Sequence, residues 1–284
     1  MIYVLLVAVT AVWGWTFVLV KDAITHYPTL PFLEVRFTLA LLVMFILVRR
    51  LPSRSEVRVG VVAGTVLSAG YLLQTVGLTS TSPGNAGLIT GLFVVFTPLI
   101  DSIFGVAIHR RTLIAVAVAL VGTAMLTGGV GGIGIGDVLV LGAAVAFALH
   151  IVLLSRWSPG LRAGPMAMVQ MGISAVLFTA GGAASTTTPP NDVWLAIVIT
   201  AVFASALAFY IQTWAQAHLD ASRTALILAT EPAWALAAAI VLAGQRLGLL
   251  QAAGAALVVG AIVGHELAPV VRRAWGPIKI QSSP

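Results

Sequence analysis

The residues with the clearest chemical potential in this sequence are the neighbouring Glu231 and Pro232, which lie inside an apolar run from Ala225 to Ala243. A carboxylate within a membrane span is costly, and such groups often mark the path of a substrate or a proton. Proline removes one backbone hydrogen bond, which a membrane tolerates where neighbouring groups or a wet cavity satisfy the freed carbonyl. Glu231 is therefore either a hydrogen-bonded packing residue or a cavity-lining group that binds substrate or a proton, and we favour the second interpretation.

Three further polar side chains lie inside apolar runs. His150 follows Phe147 by three residues, so the two share a helical face, and it could pack, titrate or bind substrate. Gln74 and Gln212 occur in the similar segments YLLQT and FYIQT. Intramembrane glutamines often hydrogen-bond one helix to another, but their recurrence also makes them candidate substrate contacts.

Aromatic side chains accompany these polar groups. Trp234 lies three residues after Glu231 on the same helical face, and Trp13 and Phe17 share a face near the start of the chain. The predicted substrate-binding residues are Trp13, Tyr71, Gln74, Phe93, Phe147, His150, Gln212, Glu231 and Trp234. Pro98 and Pro232 are predicted to bend their helices and to act as gates.

Two charged residues inside apolar runs are predicted to be structural. Arg36 needs a partner on another helix, which the sequence does not identify, and binding of a substrate anion is the alternative. Asp101 is expected to lie near the cytoplasmic interface or to pair with Arg110 or Arg111.

The elements that position these residues are membrane spans. The chain is 60% hydrophobic and 8% charged, with a mean hydropathy of +1.06, whereas about a quarter of the residues of an ordinary soluble domain are charged. Ten apolar windows are long enough to cross a bilayer. They are 2–20, 30–48, 57–78, 84–107, 112–128, 137–155, 164–184, 193–215, 222–243 and 249–267.

The basic residues predict how these spans are oriented. One alternating set of loops, together with the C-terminal tail, holds Arg49, Arg50, Arg54, Arg58, Arg110, Arg111, Arg156, Arg162, Arg223, Arg272, Arg273 and Lys279. The opposite loops hold only Lys21 and Arg246. By the positive-inside rule the first set is cytoplasmic, and both termini lie with it. This topology accounts for the net charge of +6, so we reject nucleic-acid binding.

The chain also repeats itself. A shift of 134 positions aligns Pro98 with Pro232 and Arg36 with Gln170, and a shift of 138 aligns YLLQT with FYIQT. We predict an all-α membrane protein of two five-helix repeats, 1–130 and 134–268, followed by a cytoplasmic tail, 269–284. Because five is odd, the second repeat enters the membrane in the opposite sense, which is typical of secondary transporters with a substrate site near the midplane.

Three segments resemble the EamA-type branch of the drug/metabolite transporter superfamily: AVWGWTF (11–17), TSPGNAGLITGLFVVFTPL (81–99) and ALILATEPAWA (225–235). The resemblance covers essentially the whole chain. It implies a ten-helix inverted-repeat carrier of small metabolites, often an exporter of amino acids or related compounds, with a cavity lined by helices 1, 3, 4, 6, 8 and 9. The chain departs from the family pattern at Trp15 and Thr16, where a small polar pair is usual, and at Gln245, where many members have glutamate.

We therefore expect a secondary transporter in the cytoplasmic membrane that moves a small organic metabolite by alternating access, with export favoured by the resemblance alone. Coupling to protons and simple uniport both remain open. A passive channel is the alternative, and an intramembrane enzyme is a more remote one because no catalytic constellation occurs. No cofactor or metal is expected: GVGGIG (129–134) matches a dinucleotide-binding motif in its letters but follows no strand.

Overall fold

The computed structural model describes residues 2–107, 110–126, 132–182, 188–219, 224, 227–228 and 230–261. No strand occurs within these ranges, and the fold is all-α as predicted. The helices are α1 (Ile2–His26), α2 (Thr29–Leu47), α3 (Arg54–Leu78), α4 (Pro83–Thr90), α5 (Phe93–Ser102), α6 (Arg110–Leu126), α7 (Ile135–Trp157), α8 (Ala163–Gly182), α9 (Trp194–His218), α10 (Glu231–Val241) and α11 (Leu249–Ala261).

Seven helical spans in the described ranges are long and apolar enough to cross a membrane. They are α1, α2, α3, the α4–α5 pair, α7, α8 and α9. Three shorter apolar helices are Leu113–Leu126, α10 and α11. The predicted windows at 112–128, 222–243 and 249–267 each extend beyond the described residues, so the count of ten spans stays a prediction, and the predicted tail at 269–284 lies outside them altogether.

Local sequence signals set several helix ends. Ser53 accepts a hydrogen bond from the Glu56 backbone N–H, and the Glu56 carboxylate accepts one from the Ser53 backbone N–H, which forms a capping box at the start of α3. Ser82 caps α4, and Pro83 occupies the first turn, where a missing N–H costs no helical hydrogen bond.

The predicted fourth span is interrupted in its middle. Gly91 and Leu92 form a turn between α4 and α5, and a methyl group at Gly91 would overlap the ring of Pro232. Pro98 lies further on, inside α5. Pro232 lies in the first turn of α10 and not in a helix interior, so its missing N–H costs α10 no hydrogen bond. The break thus coincides with the Gly91–Pro232 contact and not with Pro98.

The two halves of the chain pack into one another. α3 packs against α7 and α8, α2 packs against α8, and α10 packs against both α1 and α4. Each of the two largest hydrophobic clusters contains side chains from before and after the 127–131 segment. The interior of the bundle is therefore shared between the first and second halves.

Candidate functional site

A cavity extends from the middle of the bundle to Leu78, the last residue of α3. The empty space within it, including the space at its mouth, is about 650 Å³. Eight predicted substrate contacts line it: Trp13, Tyr71, Gln74, Phe93, Phe147, His150, Gln212 and Glu231. The lining residues outside the predicted set are Thr16, Phe17, Val20, Arg36, Thr75, Leu78, Thr90, Ile151, Phe209 and Leu228.

Trp234 is the predicted contact that does not line the cavity. Its Cβ lies beside Gly14, where α1 and α10 approach closely, and the side chain is 37% exposed. Residues three apart on a helix differ by about 60° in direction. Glu231 faces the cavity, so Trp234 is directed to the α1 side of α10.

Glu231 is buried at the N-terminus of α10. It forms no hydrogen bond and no ion pair with any described residue, and it lines the cavity. The N-terminus of a helix stabilises a negative charge. Glu231 can therefore act on a molecule in the cavity as a hydrogen-bonding or charged group.

Arg36 enters the cavity from α2 and is 3% exposed. Its Nε donates a hydrogen bond to Ser205 Oγ at 3.0 Å, and its guanidinium carbon lies 4.5 Å from the centroid of the Tyr71 ring. The partner that the sequence left unidentified is thus a hydroxyl together with an aromatic face. The sequence feature that could have identified Arg36 as a cavity residue is its position, because it is an arginine inside an apolar window.

The wall formed by α9 contains a π-helical section, Thr200–Leu207. Trp13 donates its indole N–H to the Ala204 carbonyl at 2.8 Å, and Ser205 in the same section accepts the Arg36 hydrogen bond. Insertions of this kind are frequent at functional sites because they change which backbone groups are paired. Trp13 from α1 and Arg36 from α2 are thus both hydrogen-bonded to this one section of α9.

His150 is held by a glutamine from α8. His150 Nε2 lies 2.8 Å from Gln170 Oε1, and Gln170 Nε2 makes longer contacts to Met166 O at 3.5 Å and Thr213 Oγ1 at 3.4 Å. A carbonyl can only accept, so this network assigns donation to Gln170 Nε2 and to His150 Nε2. Neutral His150 then keeps an acceptor at Nδ1.

The two recurring glutamines both line the cavity, in different surroundings. Gln74 donates to Thr90 Oγ1 at 3.1 Å, which joins α3 to α4. Gln212 is buried, and its Oε1 has no hydrogen-bond partner among the described residues. The Gln212 amide is therefore available to a molecule in the cavity.

Aromatic rings form the apolar part of the lining. The Tyr71 ring meets Phe147 and Phe209 edge-on, at centroid distances of 5.5 and 5.9 Å, and Trp13 lies 5.4 Å from Phe209. Such walls favour a ligand with a flat or apolar body, while the charged and amide side chains of the lining can orient the polar groups of that ligand. No group of three or more histidine, cysteine, aspartate or glutamate residues suited to a metal occurs within the described ranges.

Two ion pairs lie at the opposite end of the bundle, near the N-terminal end of α3 and the C-terminal end of α7. The Glu56–Arg162 pair has an N···O distance of 2.7 Å, and the Asp101–Arg156 pair has one of 2.8 Å. Asp101 was expected to lie near the cytoplasmic interface or to pair with Arg110 or Arg111; the residue that pairs with it is Arg156, because α5 ends beside α7. Both pairs join the first half of the chain to the second, at what we term the basic face, the predicted cytoplasmic side.

An all-helical bundle of apolar helices around a polar-lined cavity is typical of membrane transport proteins. The sequence model of the EamA-like transporter family matches residues 1–128 and again 134–265. The chain therefore belongs to the EamA-like transporter family and is a multi-pass membrane protein.

Individual relatives agree with this assignment. An uncharacterized transporter of Archaeoglobus fulgidus is 31% identical over 262 residues, which cover 91% of this chain and 83% of that protein. The uncharacterized inner membrane transporter YedA of Escherichia coli K12 is 27% identical over 214 residues, 72% of this chain and 70% of YedA. A crystal structure at 21% identity has a TM-score of 0.68 and covers 95% of this chain and 98% of the other, a likeness of fold alone.

Proposed function

We propose that this protein is a secondary carrier that moves a small organic metabolite across the cytoplasmic membrane by alternating access. The observation that carries the proposal is the cavity, in which charged and amide side chains meet aromatic walls between apolar helices. Amino acids and related compounds are the favoured substrates and export is the favoured direction. The resemblance to EamA-type carriers supports both.

The proposed architecture is ten spans in two inverted repeats, 1–130 and 134–268, with both termini and the tail at 269–284 in the cytoplasm. Two observations support it. The family model matches each half of the chain separately, and the basic residues are concentrated in alternate loops.

The proposed motion is a rocking of one half against the other. The cavity reaches the C-terminal end of α3, whereas the ion pairs Glu56–Arg162 and Asp101–Arg156 join the halves at the basic face. Breaking these pairs would open the basic face as the other end closes. The Gly91–Leu92 break and the adjoining start of α10 at Pro232 would allow α4, α5 and α10 to bend, with Pro98 as a second hinge.

Counterflow tests this function. Proteoliposomes are preloaded with unlabelled amino acids, and uptake of a trace mixture of the same radiolabelled amino acids is followed. A carrier predicts a transient accumulation of label above equilibrium and saturation at high concentration. Flux without saturation or counterflow would identify a channel, and chemical conversion of a supplied compound would identify an enzyme.

Glu231 and His150 are the proposed groups for proton coupling, because both are ionisable and line the cavity. An imposed pH gradient should then drive accumulation of label in the same proteoliposomes. Equal flux with and without the gradient would establish a uniporter.

A further inference from the structure

Arg36 carries a positive charge that the described part of the structure leaves without a counter-ion. The ion pairs found there are Arg156–Asp101 and Arg162–Glu56, so no described carboxylate lies within salt-bridge distance of Arg36. A charged side chain inside a membrane protein is costly unless it pairs or contacts a wet cavity. Arg36 meets that condition through the cavity that it lines.

The guanidinium of Arg36 is also held in one orientation. Ser205 Oγ accepts a hydrogen bond from Nε at 3.0 Å, and the guanidinium carbon lies 4.5 Å from the centroid of the Tyr71 ring. The Ser205 contact uses the Nε edge. The two terminal nitrogens form no ion pair with a described residue, and the edge that they make can bind a carboxylate through two parallel N–H···O hydrogen bonds.

The other residues that line the cavity indicate what kind of molecule would carry a carboxylate bound by Arg36. Tyr71, Phe147, Phe209 and Trp13 form aromatic walls beside the guanidinium. Glu231 lines the same cavity but forms no ion pair with Arg36. Because Glu231 does not pair with Arg36, the positive charge of Arg36 is available to an anion that enters the cavity.

We propose that Arg36 is the carboxylate-binding residue of the cavity, and that the ligands are small organic carboxylates with an aromatic or apolar body. That these ligands are also transported rests on the proposed carrier function. Their binding does not require it.

Equilibrium binding to the purified protein in lipid nanodiscs tests the proposal. The probes are radiolabelled phenylacetate and phenethylamine, which share a ring and a two-carbon chain but carry opposite charges. Phenylacetate should bind saturably to the unsubstituted protein, with empty nanodiscs as the control for partitioning into lipid. Phenethylamine binding should not depend on Arg36.

Two substitutions make the test specific. R36Q should abolish phenylacetate binding, and R36K, which keeps the charge but loses the planar fork, should weaken it by about tenfold or more. R58K is the matched control, because Arg58 is exposed on α3, lies outside the cavity lining and forms no ion pair with a described residue, so its substitution should leave phenylacetate affinity unchanged. Should R36Q fail to fold, S205A provides a variant that keeps Arg36 but frees its orientation, and phenylacetate binding should again weaken.

Absence of saturable phenylacetate binding in the unsubstituted protein would overturn the proposal, as would unchanged affinity in R36Q and R36K. These outcomes are separate from those of the carrier assay. Arg36-dependent binding without counterflow would refute the carrier alone, and counterflow without Arg36-dependent binding would refute this inference alone.

Discussion

The contact between α4 and α10 provides the sharpest test of the packing that positions the cavity. A methyl group added at Gly87 would overlap the Ala235 methyl group, while the next nearest atoms, Ala235 Cα and Phe17 Cδ2, would lie 3.5 and 3.7 Å away. The obstruction to Gly87→Ala is therefore a single methyl group on α10. Removing that methyl group should restore the space.

The magnitudes follow from this geometry. Overpacking of a close contact costs about 1–3 kcal/mol. Taking about 2 kcal/mol for the overlap and a gain of about 1 kcal/mol from better helix propensity, G87A should lower the free energy of unfolding by about 1 kcal/mol net. A235G alone should cost about 1 kcal/mol, because glycine is a poorer helix residue than alanine. In the double variant the propensity terms cancel and the overlap disappears, so its stability should lie within about 1 kcal/mol of the unsubstituted protein.

The assay is denaturant unfolding of the four proteins in detergent, followed by tryptophan fluorescence and checked by size-exclusion chromatography. The coupling between the two substitutions should be about 2 kcal/mol and favourable. G87S provides a matched control, since its larger side chain should be rescued less completely by A235G. Additive losses, with the double variant the least stable of the four, would refute the reasoning that one methyl group separates these helices.

Three further predictions concern the cavity and the basic face. Trp13→Phe should lower stability by about 1–2 kcal/mol, because the buried Ala204 carbonyl loses its side-chain donor; thermal unfolding checks this, and an unchanged melting temperature would contradict it. Glu231→Gln should remove any response of flux to a pH gradient at equal protein abundance, and an unaltered response would exclude Glu231 as the proton carrier. In a protein that carries Ser158→Cys, Glu56→Gln should speed modification of the introduced thiol by a charged maleimide added from the basic face. The reason is that glutamine keeps the capping box but loses the ion pair with Arg162. An unchanged rate would contradict a gating role of the Glu56–Arg162 pair.

Much of the helix order could be predicted from the sequence, because apolar windows separated by short loops leave few alternatives in a membrane. The break at Gly91–Leu92 could not, since it depends on the Pro232 ring, which comes from a distant part of the chain. Proline at 98 gave the stronger local signal for a break, yet it lies within α5. Tertiary packing decided the position of the discontinuity.

The cavity could be predicted in part for a similar reason. Glu231, His150 and the two glutamines cannot face lipid without cost, so placing them together followed from their chemistry. The direction of Trp234 depends on the close approach of α1 at Gly14, which residue spacing does not reveal.

The surroundings of Arg36 were equally hidden from sequence reasoning. Its hydrogen-bond partner Ser205 lies in a π-helical section of α9, and no local pattern in the sequence indicates such a section. The contacts of the Arg36 guanidinium therefore depend on packing between helices that are far apart in the chain.

The account depends most directly on the cavity being open to water within the membrane. The chain contains no cysteine, so a single introduced thiol reports on its own surroundings. Gln74 lines the cavity, whereas Leu72 on the same helix is exposed on the outer surface of the bundle. In proteoliposomes, Gln74→Cys should react with a small charged methanethiosulfonate and Leu72→Cys should not, whereas an inert thiol at 74, or equal reaction at both positions, would contradict the account.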